Sequence, residues 1–343
     1  MKKLLNTLYI TTETAYVALD GENVVVKDGE KQIRRLPIHT IDGIIIFSYV
    51  GASPALMGKC AEMNKFLVFL KPSGRFLAKV TGKAYGNILL RKEQYRVCDD
   101  SKRSLDIARN MISAKISNSS AVISRTVRDH PMRINQAQFE QTVKSLQKAK
   151  VAAYQADSAE VLRGLEGESA SQYFALFEDM ILQQKDDFDF AGRSRRPPLD
   201  NTNALLSFAY SILTSMCVSA LETVGLDPYA GIFHTERPGR CSLALDLMEE
   251  FRAPFADRIV LTAINKRIIS AKDFTRKETG GILLNEEGRK AFLMLIQQRK
   301  REEIIHPFLQ EKVEIGLLPY IQAMLLAKCI RGDIDYYPPY IWK

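Results

Sequence analysis

Near Asp99-Asp100 the chain changes texture, and that change limits what it can fold into more than any other feature. Upstream, short strand-like runs recur at residues 4–10, 16–19, 24–26, 33–38, 43–47, 67–70 and 76–80. They are separated by turn formers such as Asp20-Gly21, Asp28-Gly29 and Pro72-Ser73-Gly74. One helix interrupts them at residues 53–63, with Ser53 as its N-cap and Pro54 in its first turn. Downstream, helical periodicity takes over at residues 101–117, 135–156, 158–163, 165–180, 204–220 and 292–305. The expected fold is therefore α+β: a small β-rich N-terminal domain (1–98), suited to scaffolding or dimerisation, followed by a larger all-helical domain (99–343). At 343 residues the chain is long enough for each part to bury its own core. No stretch reads as long and apolar enough to span a bilayer.

The stretch richest in chemistry is 225–258. His234 lies in a loop, Pro238-Gly239 forces a turn, and a short helix follows, with Ser242 as the expected N-cap and Pro254 as the expected stop. At about 100° per residue, Leu243, Ala244, Leu247, Met248 and Phe251 form an apolar arc. Asp246, Glu249 and Glu250 fall on the opposite side. Such a stripe is either the wet face of an amphipathic helix or, joined to an imidazole, a set of ligands for a divalent metal.

Two further stretches bear on that choice. Glu166 is followed by Gly167, Ala170 and Ser171, small residues that let a helix approach its neighbour. Such packing would half-bury Glu166 and call for a cation; the alternative is an exposed Glu in a first helical turn. Arg193, Arg195 and Arg196 sit on a loop stiffened by Pro197-Pro198, where guanidinium forks suit phosphate oxygens, unless the loop is a solvated linker. The net charge of +8 favours a polyanionic partner, nucleic acid ahead of membrane.

Five scattered cysteines without a CxxC pair point to a reducing compartment, with neither zinc ribbon nor disulfide framework. Met1-Lys2-Lys3-Leu4-Leu5 opens like a signal peptide, but Asn6, Thr7 and Glu13 interrupt it. A cytosolic location is expected.

Several stretches together resemble one family. They are Asn87-(x)3-Arg91-(x)2-Gln94-Tyr95; Glu166-Gly167-(x)2-Ala170-(x)2-Tyr173-Phe174; and Arg195-Arg196-Pro197-Pro198-(x)4-Asn203. Then come Gly225-Leu226-Asp227-Pro228-Tyr229, His234, Arg237-Pro238-Gly239-Arg240, residues 243–252, Gly280-Gly281, His306-Pro307 and Arg331-Gly332-Asp333. In this order they resemble the CRISPR-associated spacer-acquisition integrases, the first-numbered Cas endonucleases, and look closest to the type I-C branch.

The resemblance implies that the helical domain is catalytic and that the protein is a homodimer working with the small second-numbered Cas protein. It implies a metal site, Mg²⁺ or Mn²⁺, held by Glu166, His234 and Glu249. Asp246 is then either a support behind those ligands or a ligand to another ion. The implied reaction joins a spacer duplex to a CRISPR repeat by attack of a DNA 3′-hydroxyl on a phosphodiester. Arg193, Arg195, Arg196, Arg237, Arg240 and Arg252 are the candidate DNA-backbone contacts. A free-standing metallonuclease of branched DNA and a non-catalytic DNA-binding assembly protein are the alternatives.

Overall fold

The computed structural model describes residues 7–342, apart from positions 13, 42, 48, 64, 72–75, 81, 83–87, 195–196 and 279. Strands β1 (Thr7–Ile10), β5 (Gly43–Ile46), β6 (Phe66–Leu70) and β7 (Phe76–Val80) form one sheet in that order. The first three are parallel, and β7 is antiparallel to β6. β2 (Ala15–Asp20), β3 (Asn23–Asp28) and β4 (Lys31–Pro37) make a separate antiparallel meander. Helix α1 (Pro54–Glu62) has the expected Ser53 cap, its Oγ accepting from the Leu56 N–H at 3.2 Å.

β5 shows how this small unit is joined to the rest. Successive side chains of a strand point to opposite faces. Ile44 and Ile46 enter a core with Val17, Val24 and Leu56, whereas Ile45 and Phe47 enter the core of the helical part, where Phe47 stacks on Phe208 at 5.7 Å. Burial on both faces explains why the run is continuously apolar rather than alternating.

The helical part consists of α2 (Ile88–Asp99), α3 (Ser101–Asp129), α4 (Gln136–Gln155), α5 (Ala159–Ala175), α6 (Asn201–Val224), α7 (Ser242–Met248), α8 (Arg258–Asn265), α9 (Glu286–Lys300) and α10 (Leu318–Arg331). Polar caps set the starts: Asp100 accepts from the N–H groups of Lys102 and Arg103, Ser158 from that of Val161, and Asp200 from that of Asn203. α6 ends at Gly225, whose φ of +88° is the left-handed closure that glycine adopts without strain.

Several expectations are corrected. The helical part is not all helix: β8 (Phe274–Arg276) pairs with β9 (Ile282–Leu284), and β10 (Glu303–Ile305) with β11 (Lys312–Glu314). The helix expected at 292–305 is α9, which begins earlier and gives way to β10. Residues 158–180 hold one helix, α5, rather than two segments. α6 does have the length and apolarity to cross a bilayer, but 56% of its most apolar window is buried inside the protein, which makes it a core helix.

Candidate active site

The site is built where α3, α5 and the segment around α7 meet beneath the loop that follows Gly225. The acidic residues of that segment are not a wet face. Asp246, Glu249 and Glu250 are all buried, at 1%, 4% and 0% exposure. The expected N-cap is also corrected: Ser242 donates its hydroxyl to the Thr235 carbonyl, and Cys241 precedes the helix. Pro254 does not stop the chain either. Residues Arg252–Asp257 form a π-helical turn, in which the Ala256 N–H reaches the Phe251 carbonyl five residues back, and α8 continues directly from it. A wide turn absorbs a proline that a tight helix would reject.

Each buried carboxylate has its own partners. Asp246 Oδ2 accepts the N–H groups of Ile232 (2.7 Å) and Phe233 (3.1 Å). Its Oδ1 accepts the His234 N–H (2.9 Å) and faces His234 Nδ1 at 2.6 Å. With Nδ1–H donated to Asp246, the neutral imidazole presents the Nε2 lone pair on its other side, where Glu249 Oε1 lies at 3.9 Å. A carboxylate behind a histidine in this way fixes its tautomer and raises its basicity as a ligand. Gly231 permits the close wrap: a Cβ there would lie 2.5 Å from Ser242 Cβ and 2.6 Å from the His234 carbonyl oxygen.

Glu249 receives Arg252 Nη1 at 2.9 and 3.2 Å and Lys115 Nζ at 2.8 Å. Burial disfavours its ionisation, but Arg252, Lys115 and His234 outweigh burial and hold the carboxyl well below the usual carboxylate range. The same Lys115 ammonium is ion-paired to Glu166 of α5. Glu166 is half-buried and lies in the middle of α5, not in its first turn.

Thus Glu166 and Glu249 meet on Lys115, and His234 Nε2 lies 3.9 Å from Glu249 Oε1. Among the described residues, no three His, Cys, Asp or Glu side chains converge closely enough to hold a metal as they stand. The donor set nevertheless fits one. Two carboxylates meet on a common cation, the ammonium standing in for it, and an imidazole lone pair faces the Oε1 of one of them, Glu249. Oxygen donors with one imidazole suit Mg²⁺ or Mn²⁺.

A cleft of about 620 Å³ opens beside the carboxylates, bordered by Glu166, Lys115, Phe174, Arg193, Arg252 and Asp257. Arg252 lies over the Tyr210 ring at 4.5 Å and Arg193 at 5.2 Å, and the Tyr210 hydroxyl donates to Asp257 at 2.5 Å. Burial pushes the Asp257 carboxyl up to about 6 against the pull of Tyr210 and Arg252. The structure therefore brings Glu166, His234, Asp246, Glu249, Arg193 and Arg252 to one region. Arg237 is exposed and Arg240 half-exposed on the turn after His234. Arg195 and Arg196 lie outside the described residues.

Two residues here carried no role in the sequence reading. Lys115 had a signal: it shares a helical face with Ala108, Met111, Ile112, Ser119 and Val122, all buried, so a charge in that stripe calls for a carboxylate. Gln94, part of the 87–95 motif, is fully buried. Its Nε2 donates to the carbonyls of Asp227 (2.8 Å) and Ala230 (3.1 Å), and its Oε1 accepts the Asp227 N–H (2.8 Å). Tyr95 and Arg91 add contacts to Asp227 and Gly225. α2 thus holds the root of the His234 loop.

A family profile described as "CRISPR associated protein Cas1" matches residues 8–298. The "CRISPR-associated endonuclease Cas1 1" of Chlorobaculum tepidum is 45% identical over 343 residues, covering 100% of both chains. The "CRISPR-associated endonuclease Cas1 2" of Rhodospirillum rubrum is 47% identical over 348 residues, again covering 100% of both. Among solved structures, a casposase bound to its integration product superposes with a TM-score of 0.84 over 98% of this chain and 94% of that one, at 22% identity. A CAS1 protein from Thermotoga maritima gives a TM-score of 0.81 over 95% and 97%, also at 22% identity.

Proposed function

The chain belongs to the Cas1 family of CRISPR-associated proteins, and from that premise we propose that it is a metal-dependent DNA endonuclease and integrase of CRISPR adaptation, closest to the type I-C branch. It acts as a homodimer with the small Cas2 protein, on a spacer duplex and a CRISPR repeat, in the prokaryotic cytoplasm. The observation that carries the reading is the pair of carboxylates on a shared cation position, with an oriented imidazole facing one of them.

Glu166, Glu249 and His234 would hold Mg²⁺ or Mn²⁺, which when bound stabilises charge developing on the phosphoryl oxygens. The protein supplies the rest. Asp246 keeps the His234 lone pair turned toward Glu249. Arg252 and Asn118 brace that turn from either side, Arg252 on the Glu249 carboxylate and Asn118 on the Glu250 carbonyl at 2.8 Å. Arg193 and Arg252 border the cleft that takes the DNA strand, and Arg195, Arg196, Arg237 and Arg240 extend the basic border. No side chain need become a nucleophile, because the DNA 3′-hydroxyl, or water in its place, attacks the phosphorus.

The test is strand transfer of a labelled short duplex with 3′-hydroxyl ends into a supercoiled repeat plasmid, with Cas2 and Mn²⁺. Wild type should give joined product that chelator abolishes. His234→Ala should bind DNA, with affinity that falls as salt rises, but should not join it. Cutting without joining by wild type would favour a nuclease of branched DNA. Equal joining by both proteins would remove His234 from the chemistry.

A further inference from the structure

Lys115 does more than complete an ion pair. Its stem rises from the buried face of α3, and its ammonium contacts Glu166 on one side and Glu249 on the other. That is the position on which the two carboxylates of the metal site converge. Glu249 already has a second fixed cation in Arg252. A divalent ion cannot join Glu166 to Glu249 while the ammonium occupies the same space. Both charges on one spot would repel strongly in a partly buried site.

We propose that Lys115 is a place-holder cation: it occupies the metal position in the metal-free protein and, when a divalent ion arrives, swings into the adjoining cleft, where its ammonium takes a phosphate of the DNA strand. This inference rests on the metal-site reading above. Three observations support the movement. Lysine is a compact charge on a flexible four-carbon stem with freely rotating donors, whereas Arg252 is fixed by its Nη1 on both Glu249 oxygens and its stacking on Tyr210. The cleft into which it would move is open and bordered by Lys115 itself. That cleft also carries Arg193 and Arg252 against Glu178 and Asp257, so with the ammonium added its cations outnumber the carboxyls that the metal does not take.

The place-holder also explains how two carboxylates stay close in the absence of metal. Without a cation between them they would repel, and burial would add its own penalty. Lysine compensates both and can be displaced. It thereby makes metal and DNA cooperative ligands: the metal frees the ammonium, and the phosphate keeps it from returning.

Two measurements test this. The first is Mn²⁺ titration of wild type and Lys115→Met by electron paramagnetic resonance of the free ion. The variant should bind Mn²⁺ at least about tenfold more tightly, and should melt at a lower temperature than wild type in chelator but not in saturating Mn²⁺. The second uses unaltered protein, in case the variant does not fold: reductive dimethylation read by mass spectrometry at Lys115. Labelling should accelerate severalfold on adding Mn²⁺ and be suppressed again by a short DNA duplex, while an exposed lysine such as Lys272 labels at a constant rate.

Wild type that binds Mn²⁺ while Lys115→Met binds it equally or more weakly would overturn the place-holder and leave the metal site standing. Labelling indifferent to Mn²⁺ would do the same. Wild type that binds no Mn²⁺ at all would overturn the metal site and this inference with it.

Discussion

Replacing Asp246 with Asn tests whether a buried carboxylate aims the imidazole of His234. Asp246 faces four hydrogen-bond donors, three backbone N–H groups and His234 Nδ1, and is shielded from water. An amide of the same size has one acceptor oxygen. Turned toward Ile232 and Phe233, that oxygen leaves the NH₂ facing the His234 N–H, a donor against a donor. The NH₂ can then satisfy Nδ1 only if the ring proton moves to Nε2, which removes the lone pair that faces Glu249. Turned the other way, the amide leaves the N–H groups of Ile232 and Phe233 without an acceptor.

One or two buried N–H groups left unpaired, at about 1–3 kcal/mol each, should appear in urea unfolding as a loss of about 1–6 kcal/mol. Misorienting a ligating imidazole typically lowers metal affinity or activity about 10–100-fold. Mn²⁺ titration and the strand-transfer assay should show that drop, while DNA binding in chelator stays near wild type. A less stable Asp246→Asn that retained wild-type Mn²⁺ affinity and joining would refute the reasoning, because the carboxylate would then merely tie down the loop.

Two other expectations follow from buried polar groups. Gln94→Leu keeps the volume but strands the Asp227 carbonyl and N–H at the root of the His234 loop and leaves the Ala230 carbonyl only the weak Cys98 thiol donor. Stability should fall by about 2–4 kcal/mol and joining should fall with it; a loss under about 0.5 kcal/mol, typical of a neutral surface change, would show that α2 does not hold the loop. Glu250 is pushed up to about 8 by burial, against hydrogen bonds from Tyr337, Tyr340 and Gln322. A carboxyl raised in the fold stabilises fully below its unfolded value, near 4.5, and that stabilisation is lost as pH rises to about 8. Wild-type stability should therefore lose on the order of a few kcal/mol across that window, and Glu250→Gln should flatten the decline; parallel curves for the two proteins would reject the assignment.

How much of this was legible in the sequence depended on how local each signal was. Ser53, Asp20-Gly21 and the strand runs between residues 16 and 80 are short-range signals, and the elements lie where they point to within a residue or two, while residues 4–6 of the first run and the Pro72-Ser73-Gly74 turn lie outside the described residues. The break in texture near Asp99 corresponds to Asp100 capping α3, but α2 already lies upstream of it and packs with the helices. The identities of Glu166, His234, Asp246 and Glu249 could be proposed from resemblance, whereas their arrangement could not. Lys115 and Glu166 are 51 residues apart, and Gln94 and Asp227 are 133 apart. Periodicity within one helix carries no information about such pairs. The same limit explains Pro254, since a rule about a regular α-helix says nothing of a π turn braced from outside.

Glu249 and Glu250 show where sequence reasoning stops and geometry begins. They are neighbours on one turn, the same residue type, and both read as part of one acidic face. In the fold they are opposites. Glu249 points to Arg252 and Lys115, so its charge is compensated and it stays ionised. Glu250 points the other way, to neutral donors: the Tyr337 hydroxyl, the Gln322 amide and the Tyr340 N–H. There burial outweighs the hydrogen bonds, and the carboxyl keeps its proton near neutral pH. Those donors bring the C-terminal segment, with Tyr337 and Tyr340 buried, onto the back of the turn that carries Glu249. Asn118 of α3 fastens the same segment by bonds to the Tyr340 carbonyl and the Trp342 N–H, three residues beyond Lys115 on the helix. α3 therefore presents the Lys115 ammonium to one face of the acidic turn and a fixed amide to the other. The rigidity that holds Glu249 in place comes in part from residues that touch neither Lys115 nor Glu166.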